Sequence, residues 1–353
     1  MNDIEKLRKK IDEMDAEILN LLNQRTELVL QIGNVKSKNN DNVYVPHREK
    51  AIVERLKSLN TGRFPNKALE ATYREILSAC RSLEKPISVA YLGPEGSFGH
   101  TASIKHFGSS TNYIPIQPQT DIFIEVEAGR ADYGVVAIEN SIDGSVRDTQ
   151  DMFMESNLQI CAEIMMPVFH NILSNSPAEK IKKIYSHPQP FAQCRNWLKN
   201  NFKDAEQIAV SSTSEAAMLA AKEDGVAAIA SRLAAELYGI KILYEGIQDR
   251  SDNTTRFVVI GKHCGGKSND DRTSVLFAVK DRAGALCEVL EVFRNYNLNL
   301  SKIESRPSRT KAWEYVFFAD IEGHIEDKAI KDALDEVEDK CAFLKFLGSY
   351  PKA

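Results

Sequence analysis

The feature that most constrains this chain is an apolar seam that runs through its first 35 residues. Apolar side chains recur at the a and d places of a heptad, a pattern typical of a long helix that buries one stripe against another helix. The seam contains Ile4, Leu7, Ile11, Met14, Ile18, Leu21, Leu28, Ile32 and Val35. Because an isolated helix is only marginally stable in water, a helix of about 33 residues with such a stripe needs a partner.

One place in this seam is charged. The a series 4, 11, 18, 25, 32 puts Arg25 where an apolar residue is expected, and Arg8 and Lys36 occupy neighbouring e places. A charged seam residue taken alone favours a structural role, in which its stem covers apolar surface or sets the register. Arg8 and Arg25 stand about 25 Å apart along the helix, too far for one small ligand to bridge. Two antiparallel chains would close this gap, so the spacing suggests a dimer with two cationic pockets shared between the chains.

Composition limits the classes of protein to consider. The chain has 353 residues, 43% hydrophobic and 27% charged, which suggests two or three globular domains. A net charge of −5 implies no general attraction to nucleic acid or to an anionic membrane. We see neither an apolar run of membrane-spanning length nor a signal peptide, so a cytoplasmic location is expected. Six scattered cysteines without a CxxC pair indicate reduced thiols and no metal site.

The pattern along the chain divides it into three domains, a multidomain fold class. Residues 1–85 are helical and predict an all-α dimer domain. Residues 86–265 alternate short apolar strands with Ala-rich helices, an α/β pattern. After a polar linker at 266–272, residues 273–353 follow the order β-α-β-β-α-β, which predicts an α+β ferredoxin-like domain.

The first domain carries a distinctive motif. The run LRKKIDEMDAEILNLLNQR, followed by IGNVK and VPHRE, resembles the all-helical chorismate mutase family. The resemblance implies that Arg8, Arg25, Lys36, Arg48 and Glu49 line the active site, with Arg8 donated by the neighbouring chain. Chorismate rearranges by a pericyclic shift, so the enzyme must hold a dicarboxylate in a compact shape and stabilise charge on the ether oxygen. Arginine binds carboxylates bidentately, and lysine can donate to the ether oxygen.

Three positions depart from the pattern of some family members. Val45 stands where an Asp can precede the Arg-Glu pair, and Cys80 and Glu84 stand where a Ser and a Gln can occur. Glu84 would donate to the ether oxygen only when it is protonated. It could equally be a solvated helix end before Pro86, and both interpretations stay open.

Four polar clusters that follow strands resemble, together, the prephenate dehydratase family across residues 87–261. These clusters are YLGPEGSFGHTAS, AIENSIDGSV, YSHPQPFAQC and SDNTTRFVVIG. The implied fold has two α/β lobes with a cleft, like type 2 periplasmic binding proteins. The implied site contains Glu139, Asn140, Ser141, Ser186, Gln193, Ser212, Thr213, Thr255, Arg256 and Phe257.

The chemistry of prephenate explains the hydroxyl groups in this set. Prephenate loses CO2 and water and becomes aromatic, so the enzyme need only protonate the departing hydroxyl and hold the carboxylates. Thr255 is the family's expected hydroxyl donor, and Arg256 would anchor negative charge or the local structure. Gly99 stands where the family often has Ser or Thr, which removes any hydroxyl contact from that place.

Several polar residues of these clusters also have plainer interpretations. His187 is interpreted as a packed histidine rather than a general acid. His100 and His106 flank a helix start and are expected at the surface. Asn140 could simply cap a turn.

The third domain carries two motifs, DRAGALCEVL and KIESRPSR, that resemble the ACT domain appended to prephenate dehydratases. The resemblance implies that they close over L-phenylalanine at a subunit interface. The residues concerned are Gly284, Ala285, Leu286, Glu304, Ser305, Arg306 and Pro307. A plain dimerisation domain is the alternative, but two motifs together favour a sensor.

The resemblances together imply a bifunctional enzyme of phenylalanine biosynthesis, an isomerase and lyase that makes prephenate from chorismate and then phenylpyruvate. The end product, L-phenylalanine, would inhibit it. The implied partners are chorismate, prephenate, phenylalanine and further copies of the chain, as a homodimer or a larger homo-oligomer; no cofactor is implied. Two alternatives stay open: an active dehydratase with a decayed mutase, and a ligand sensor without catalysis.

Overall fold

The structure is a computed structural model that describes residues 2–39, 43–307 and 315–353. The chain begins with three helices, α1 (Asp3–Asn39), α2 (Pro46–Leu59) and α3 (Asn66–Glu84). Proline sets two boundaries, since Pro46 opens α2 and Pro65 precedes α3. The missing N–H of proline costs nothing in a first turn, and its fixed φ suits the helix.

The apolar seam of α1 is exposed to solvent in the single chain. Its nine large apolar side chains, from Ile4 to Val35, are each 53–61% exposed. A continuous apolar surface of this kind marks an interaction site. The C-terminal half of α1 packs on α3, where Arg25 reaches Cys80 and Gly33 lies against Glu84.

The first lobe of the next domain is a six-stranded sheet. Its strands are β1 (Ser88–Leu92), β2 (Asn112–Ile116), β3 (Tyr133–Asn140), β4 (Gly144–Ser145), β5 (Gln159–Pro167) and β11 (Thr254–Gly261). Their order is β2-β1-β3-β11-β5, with β4 paired to β3, and β11 runs antiparallel to both neighbours. Its helices are α4 (Phe98–Phe107), α5 (Gln119–Glu127) and α6 (Arg147–Glu155). Apolar clusters fill both faces of the sheet.

The second lobe is a smaller five-stranded sheet in the order β10-β6-β9-β7-β8. Its strands are β6 (Asn171–Leu173), β7 (Lys183–Ser186), β8 (Glu206–Ala209), β9 (Val226–Ala230) and β10 (Ile242–Tyr244). Its α-helices are α7 (Pro188–Gln193), α8 (Arg195–Asn201), α9 (Thr213–Ala220) and α10 (Arg232–Tyr238). The chain crosses between the lobes twice, at 168–170 and at 245–253, which leaves a cleft between them.

The C-terminal domain is an antiparallel sheet in the order β13-β14-β12-β15 with two helices. Its elements are β12 (Asp271–Val279), α11 (Ala285–Asn295), β13 (Leu300–Pro307), β14 (Tyr315–Glu322), α12 (Lys328–Lys340) and β15 (Cys341–Pro351). The helices cover one face. The other face packs on the first lobe, where Leu276, Phe318 and Leu347 share a core with Ile160 and Val258.

The predicted architecture of helical, two-lobed α/β and ferredoxin-like parts is confirmed. One detail differs: Asp271 and Arg272, expected in the linker, already belong to β12. The predicted start of β14 at Trp313 lies outside the described residues. Among the helices of the described ranges, none combines the length and apolar character that a bilayer crossing demands.

Candidate functional sites

Two cations of α1 face α3 in the helical domain. Arg25 Nη1 donates to Cys80 Sγ at 2.9 Å, and Lys36 Nζ lies 3.3 Å from Glu84 Oε1. Arg25 and Lys36 are 11 residues apart, about three helical turns, so both project from one side of α1. The charged place in the seam therefore faces a polar pocket inside the same chain.

Glu49, in the first turn of α2, belongs to the same pocket. Its Oε1 accepts a hydrogen bond from Arg81 Nη1 at 2.6 Å. Burial raises the pKa of Glu49, and the charges of Arg81, Lys36 and Arg25 oppose this effect. These three cations are therefore close enough to the carboxylate to form one electrostatic group with it.

The side chain of Glu84 is buried in this pocket, only 6% exposed. The interpretation as a solvated helix end is therefore wrong. Gly33 makes room for it, since a Cβ at position 33 would lie 2.6 Å from Glu84 Cγ. The Gly-x-x-Lys spacing thus places a residue without a side chain and a cation against the same carboxyl group. A cavity of about 460 Å³, bordered by Lys36 and Glu84, continues from here toward the first lobe.

Arg8 and Arg48 do not join this pocket in the single chain. Both are exposed, Arg8 on the N-terminal half of α1 and Arg48 on α2. Arg8 lies 17 residues before Arg25, which puts it about 25 Å away along the helix. Within one chain, Arg8 therefore cannot reach the pocket.

In the cleft between the lobes, the hydroxyl of Thr255 is held by an amide. Asn140 Nδ2 lies 2.9 Å from Thr255 Oγ1 and 2.9 Å from Asn253 Oδ1. The side-chain Oδ1 of Asn140 accepts hydrogen bonds from the backbone N–H groups of Ile142 and Asp143. Asn140 therefore caps a turn, as one interpretation held, and also orients the predicted hydroxyl donor.

A hydrogen-bonded chain crosses from one lobe to the other at this point. Asn253 Nδ2 donates to Gln193 Oε1 at 3.0 Å, and the same oxygen lies 2.7 Å from His170 Nε2. Gln193 Nε2 donates to Asp143 Oδ2 at 2.9 Å. Burial lowers the pKa of His170, so this ring is neutral at pH 7. Its Nδ1 is buried and has no hydrogen-bond partner within the described residues.

Sequence reasoning missed Asp143, His170, Asn253 and Arg81. Asp143 lies inside the AIENSIDGSV motif and Asn253 inside the SDNTTRFVVIG motif, whereas His170 stands alone between two strands. Arg81 could have been noticed, because it falls on the apolar face of α3 near Leu77. A cation at such a position must find partners inside the protein.

Of four predicted substrate-binding residues of the cleft, three make structural hydrogen bonds and the fourth, Thr213, is buried. Ser186 is fully buried and donates to the carbonyl of Ile229. Ser212 caps α9 by accepting the N–H of Glu215, and Thr213 follows it in the first turn, 9% exposed. Ser141 donates to the carbonyl of Asp252 and accepts the N–H of Thr254. These bonds shape the cleft edge.

Glu139 and Arg256 point away from the cleft, toward the C-terminal domain. Arg256 donates to Glu163 at 3.0 Å, to Asp320 at 2.6 Å and to Tyr350 at 2.8 Å. Successive residues of a strand face opposite sides of the sheet, so Thr255 and Arg256 cannot both enter the cleft. The geometry favours the interpretation of Arg256 as an anchor of local structure.

Glu139 likewise accepts from Lys302 of β13 at 2.9 Å. Phe257 is 5% exposed and packs in the core of the first lobe. Neither side chain lines the cleft in this structure, although both stand in motifs that do.

The histidine interpretations are partly corrected. His100, expected at the surface, is 8% exposed and stacks on Tyr91. His106 bonds to the hydroxyl of Tyr44 from the helical domain. His187 caps α7 by accepting the N–H of Gln189. At Gly99, a Cβ would lie 3.1 Å from the carbonyl oxygen of Leu92, so the tight packing favours glycine there.

The predicted effector motifs occupy α11 and β13 of the C-terminal domain. Gly284 has φ +84 with open space around it, and Ala285 and Leu286 begin α11 in the domain core. On β13, Ser305 and Pro307 are on one face. Ser308 and Arg309, which complete the quoted motif, lie outside the described residues.

Glu304 and Arg306, on the opposite face of β13, contact the first lobe. Glu304 accepts from Ser145 and from Gln150, and Arg306 donates to Asp151 at 2.6 Å. The strand that carries the effector motif is therefore in direct contact with the domain that carries Thr255.

None of the described residues forms a cluster of three or more His, Cys, Asp or Glu side chains suited to a metal ion. The groups brought together are instead hydrogen-bond donors and fixed cations. Such groups can orient an organic anion and stabilise charge that develops on its oxygens.

Comparison with known families covers nearly the whole chain. Chorismate mutase type II matches residues 7–85, prephenate dehydratase matches 89–265 and the ACT domain matches 273–339.

Among curated relatives, the bifunctional chorismate mutase/prephenate dehydratase of Aquifex aeolicus is 49% identical over all of this chain and 99% of its own length. That of Neisseria gonorrhoeae is 43% identical, over 98% and 96%. The solved prephenate dehydratase of Arthrobacter aurescens in complex with L-Phe is 32% identical, with a TM-score of 0.70 over 75% of this chain and 90% of its own.

Proposed function

This chain belongs to the bifunctional chorismate mutase/prephenate dehydratase family, with a C-terminal ACT domain, and on that premise we propose which residues perform each reaction. The observation that carries the assignment is that one chain builds two separate sites of the required chemistry. Arg25, Lys36, Glu49 and Glu84 converge in the helical domain, and Asn140 holds the hydroxyl of Thr255 in the interlobe cleft.

In the mutase pocket, fixed cations select the reactive shape of chorismate. Arg25 binds a carboxylate through two parallel hydrogen bonds, and Lys36 donates to the ether oxygen, where charge builds as the C–O bond breaks. Glu84, whose Oε1 lies 3.3 Å from Lys36 Nζ, would hold that ammonium group in place. The rearrangement needs no nucleophile and no cofactor, so positioning and charge stabilisation supply the rate enhancement.

A second chain completes this pocket. The exposed seam of α1 is the surface on which two copies pack antiparallel, and the partner's α1 brings its Arg8 within reach of Arg25 and Lys36. Arg48, exposed in the single chain, would bind the second carboxylate once the pocket is closed.

In the dehydratase cleft, Thr255 donates its hydroxyl proton to the departing hydroxyl of prephenate, and a proton from solvent then restores the threonine. Breakage of the C–CO2 bond supplies the electron pair that forms the aromatic ring, while the C–OH bond breaks and water leaves. A threonine hydroxyl is a weak acid. Much of the rate enhancement must therefore come from its orientation by Asn140 and from the neutral hydrogen-bond donors around it. Gln193 and Ser212 at the facing edge of the second lobe would receive the carboxylates.

Phenylalanine would regulate this cleft through the ACT domain. We assign the effector site to Gly284–Leu286 and to the outer face of β13 at Ser305, with residues 273–353 as the regulatory domain after a linker at 266–272. The solved relative bound to L-Phe supports this assignment. In the same division, residues 1–85 hold the mutase and 86–265 the dehydratase.

The test is incubation of the full-length protein with chorismate, with prephenate and phenylpyruvate measured separately. Both products are expected. Arg25→Ala should abolish prephenate formation and leave dehydration of supplied prephenate intact. Phenylpyruvate from supplied prephenate alone would indicate a decayed mutase, and neither product would indicate a sensor without catalysis.

A further inference from the structure

Arg81, on α3, contacts both catalytic domains. It is 5% exposed. Its Nη1 donates to Glu49 at 2.6 Å in the mutase pocket, and its Nη2 donates to the main-chain carbonyl of Phe107 at the end of α4. The guanidinium lies over the rings of Tyr44 and Phe107, with its carbon 5.4 and 5.6 Å from their centroids. One side chain therefore joins a mutase carboxylate to the main chain of the dehydratase.

The surrounding contacts show that α3 and the end of α4 are firmly docked. Ser109 donates its N–H and its hydroxyl to Glu75 Oε2, at 2.9 and 2.6 Å. The N–H of Ser110 donates to Ser78 Oγ at 3.2 Å. Glu75 and Ser78 lie on the same face of α3 as Arg81, so the guanidinium is the innermost contact of a continuous interface.

The bond to Arg81 determines how Glu49 is presented. Glu49 faces Arg81 from α3, Lys36 and Arg25 from α1, and the phenol of Tyr44. Burial raises the pKa of Glu49, and among the cations that oppose this rise Arg81 acts most strongly. In the described part of the chain, only Arg81 combines that charge with a hydrogen bond to the Glu49 carboxylate. Because the bond engages Oε1, Oε2 is left to accept from a substrate hydroxyl.

We propose that Arg81 is a positioning residue of the mutase reaction: it fixes the Glu49 carboxylate in the pocket, and the Phe107 carbonyl of the dehydratase domain fixes Arg81 in turn. The mutase pocket is thus completed by the neighbouring domain of the same chain. The inference rests on the proposed place of Glu49 in that pocket.

The experiment compares Arg81→Gln with the unaltered full-length enzyme, measuring kcat and KM for chorismate from pH 5 to pH 9. A misplaced catalytic group costs up to about 100-fold in rate, so we expect mutase kcat/KM to fall about 10- to 100-fold. Without Arg81 the pKa of Glu49 rises further, so the acidic limb of the profile should move to higher pH. Dehydration of supplied prephenate should be unchanged.

Two matched variants separate positioning from docking. In a Glu49→Gln background, Arg81→Gln should cost nothing more, because its target is gone. Glu75→Gln weakens the same interface without contacting Glu49 and should leave the mutase unchanged. Additive losses, an unmoved acidic limb or an equal loss in Glu75→Gln would overturn the proposal.

If Arg81→Gln does not fold, Arg81→Lys provides the measurement, since it keeps the charge but loses the two-pronged donor geometry. We expect an intermediate loss of kcat/KM; a wild-type value would overturn the proposal. Wild-type activity in Glu49→Gln would instead refute the site assignment on which the proposal rests.

Discussion

At the scale of single residues, Thr255 shows how the fold orients the hydroxyl that we propose for the dehydration step. It is 9% exposed, and its oxygen is held 2.9 Å from Asn140 Nδ2. Asn140 is itself fixed by the turn that follows it. The hydroxyl therefore has one preferred direction before any substrate arrives. A donor oriented in advance stabilises the transition state without reorganising, which compensates for weak acidity.

Thr255→Val removes this hydroxyl and keeps the shape of the side chain. We expect dehydratase kcat to fall about 100-fold, the range typical of a lost transition-state donor, while mutase turnover stays unchanged. The two activities are measured on separate substrates, and Thr255→Ser serves as the matched control that retains the hydroxyl. Equal dehydratase activity in the valine and serine variants would show that the hydroxyl takes no part.

The residues that sequence analysis predicted, and those it missed, differ in a physical way. Thr255 and Arg25 stand in local patterns, a T-R-F motif and a break in a heptad. Arg81 meets Phe107 and Glu49 across sequence separations of 26 and 32 residues, and no local pattern encodes that meeting. Arg256 was placed among site residues by its motif, whereas the alternation of the strand turns it to the other face.

At the scale of elements, α1 is a helix whose two halves would serve different pockets of the proposed dimer. Its 37 residues span about 55 Å at 1.5 Å per residue, so Arg8 and Lys36 cannot serve one pocket within a chain. Its length and seam could be predicted from periodicity. The packing of its C-terminal half on α3 could not, because it depends on Glu84 fitting over Gly33.

Mixing tests whether α1 is shared. Arg8→Ala and Lys36→Ala chains should each be inactive as mutases, and refolding them together should restore part of the activity. In a heterodimer one pocket carries both defects and the other carries neither. Recovery is measured as prephenate formation against the fraction of heterodimer, and two Lys36→Ala preparations mixed together provide the baseline. Absence of recovery at a proven heterodimer fraction would refute the shared pocket.

The strand β13 is a second element with two roles. Its inner face carries Lys302, Glu304 and Arg306 against the dehydratase, and its outer face carries Ser305. Burial alone would raise the pKa of Glu304, but hydrogen bonds from Ser145 and Gln150 and the charge of Lys302 lower it. An ionised Glu304 thus ties β13 to β4 and α6 of the first lobe.

Glu304→Gln should weaken inhibition of the dehydratase without weakening the binding of phenylalanine. Phenylalanine should bind with little change, as measured by calorimetry, while inhibition of the dehydratase weakens several-fold; the coupling at stake is about 1–3 kcal/mol. Ser305→Ala, on the outer face, should weaken binding itself. Gly284→Val is a poorer test, because φ +84 strains any side chain there regardless of the ligand. Loss of binding in Glu304→Gln would contradict the two-faced role.

At the scale of the whole molecule, buried polar junctions hold the three domains together. Arg81 and the Tyr44–His106 pair join the mutase to the first lobe, and Arg256 with Asp320 joins that lobe to the ACT sheet. Domain order could be predicted from sequence patterns. These junctions could not, because each pairs residues from distant segments.

The junction at His106 makes stability depend on pH. Burial, followed by the charges of Arg81 and Arg74, lowers its pKa from 6.5 to about 3. The folded state therefore favours the neutral ring: this contribution to stability is complete above pH 6.5 and is lost as the pH falls toward 3. Each pH unit below about 6.5 should cost about 1.4 kcal/mol.

Urea unfolding at pH 7.5, 6.0 and 5.0 measures this loss. His106→Gln should show a shallower decline of unfolding free energy than the unaltered chain, whatever its stability at pH 7.5. His170 and His100 also have pKa values lowered by burial, so the comparison rests on the difference between the two slopes. Parallel slopes would mean that His106 takes up a proton without leaving its site.

The alternation of β11 also limits how this enzyme can diverge. Thr255 and Arg256 are adjacent in the gene, yet we propose the first for catalysis, whereas the second bonds to Asp320 of the ACT sheet. Point substitutions can alter either function alone, so feedback control can drift while turnover is preserved. A codon inserted or deleted within β11 would exchange the two faces and damage both functions at once. Related enzymes that lose regulation but keep catalysis should therefore differ from this chain in β11 by substitution, and the strand should keep its length.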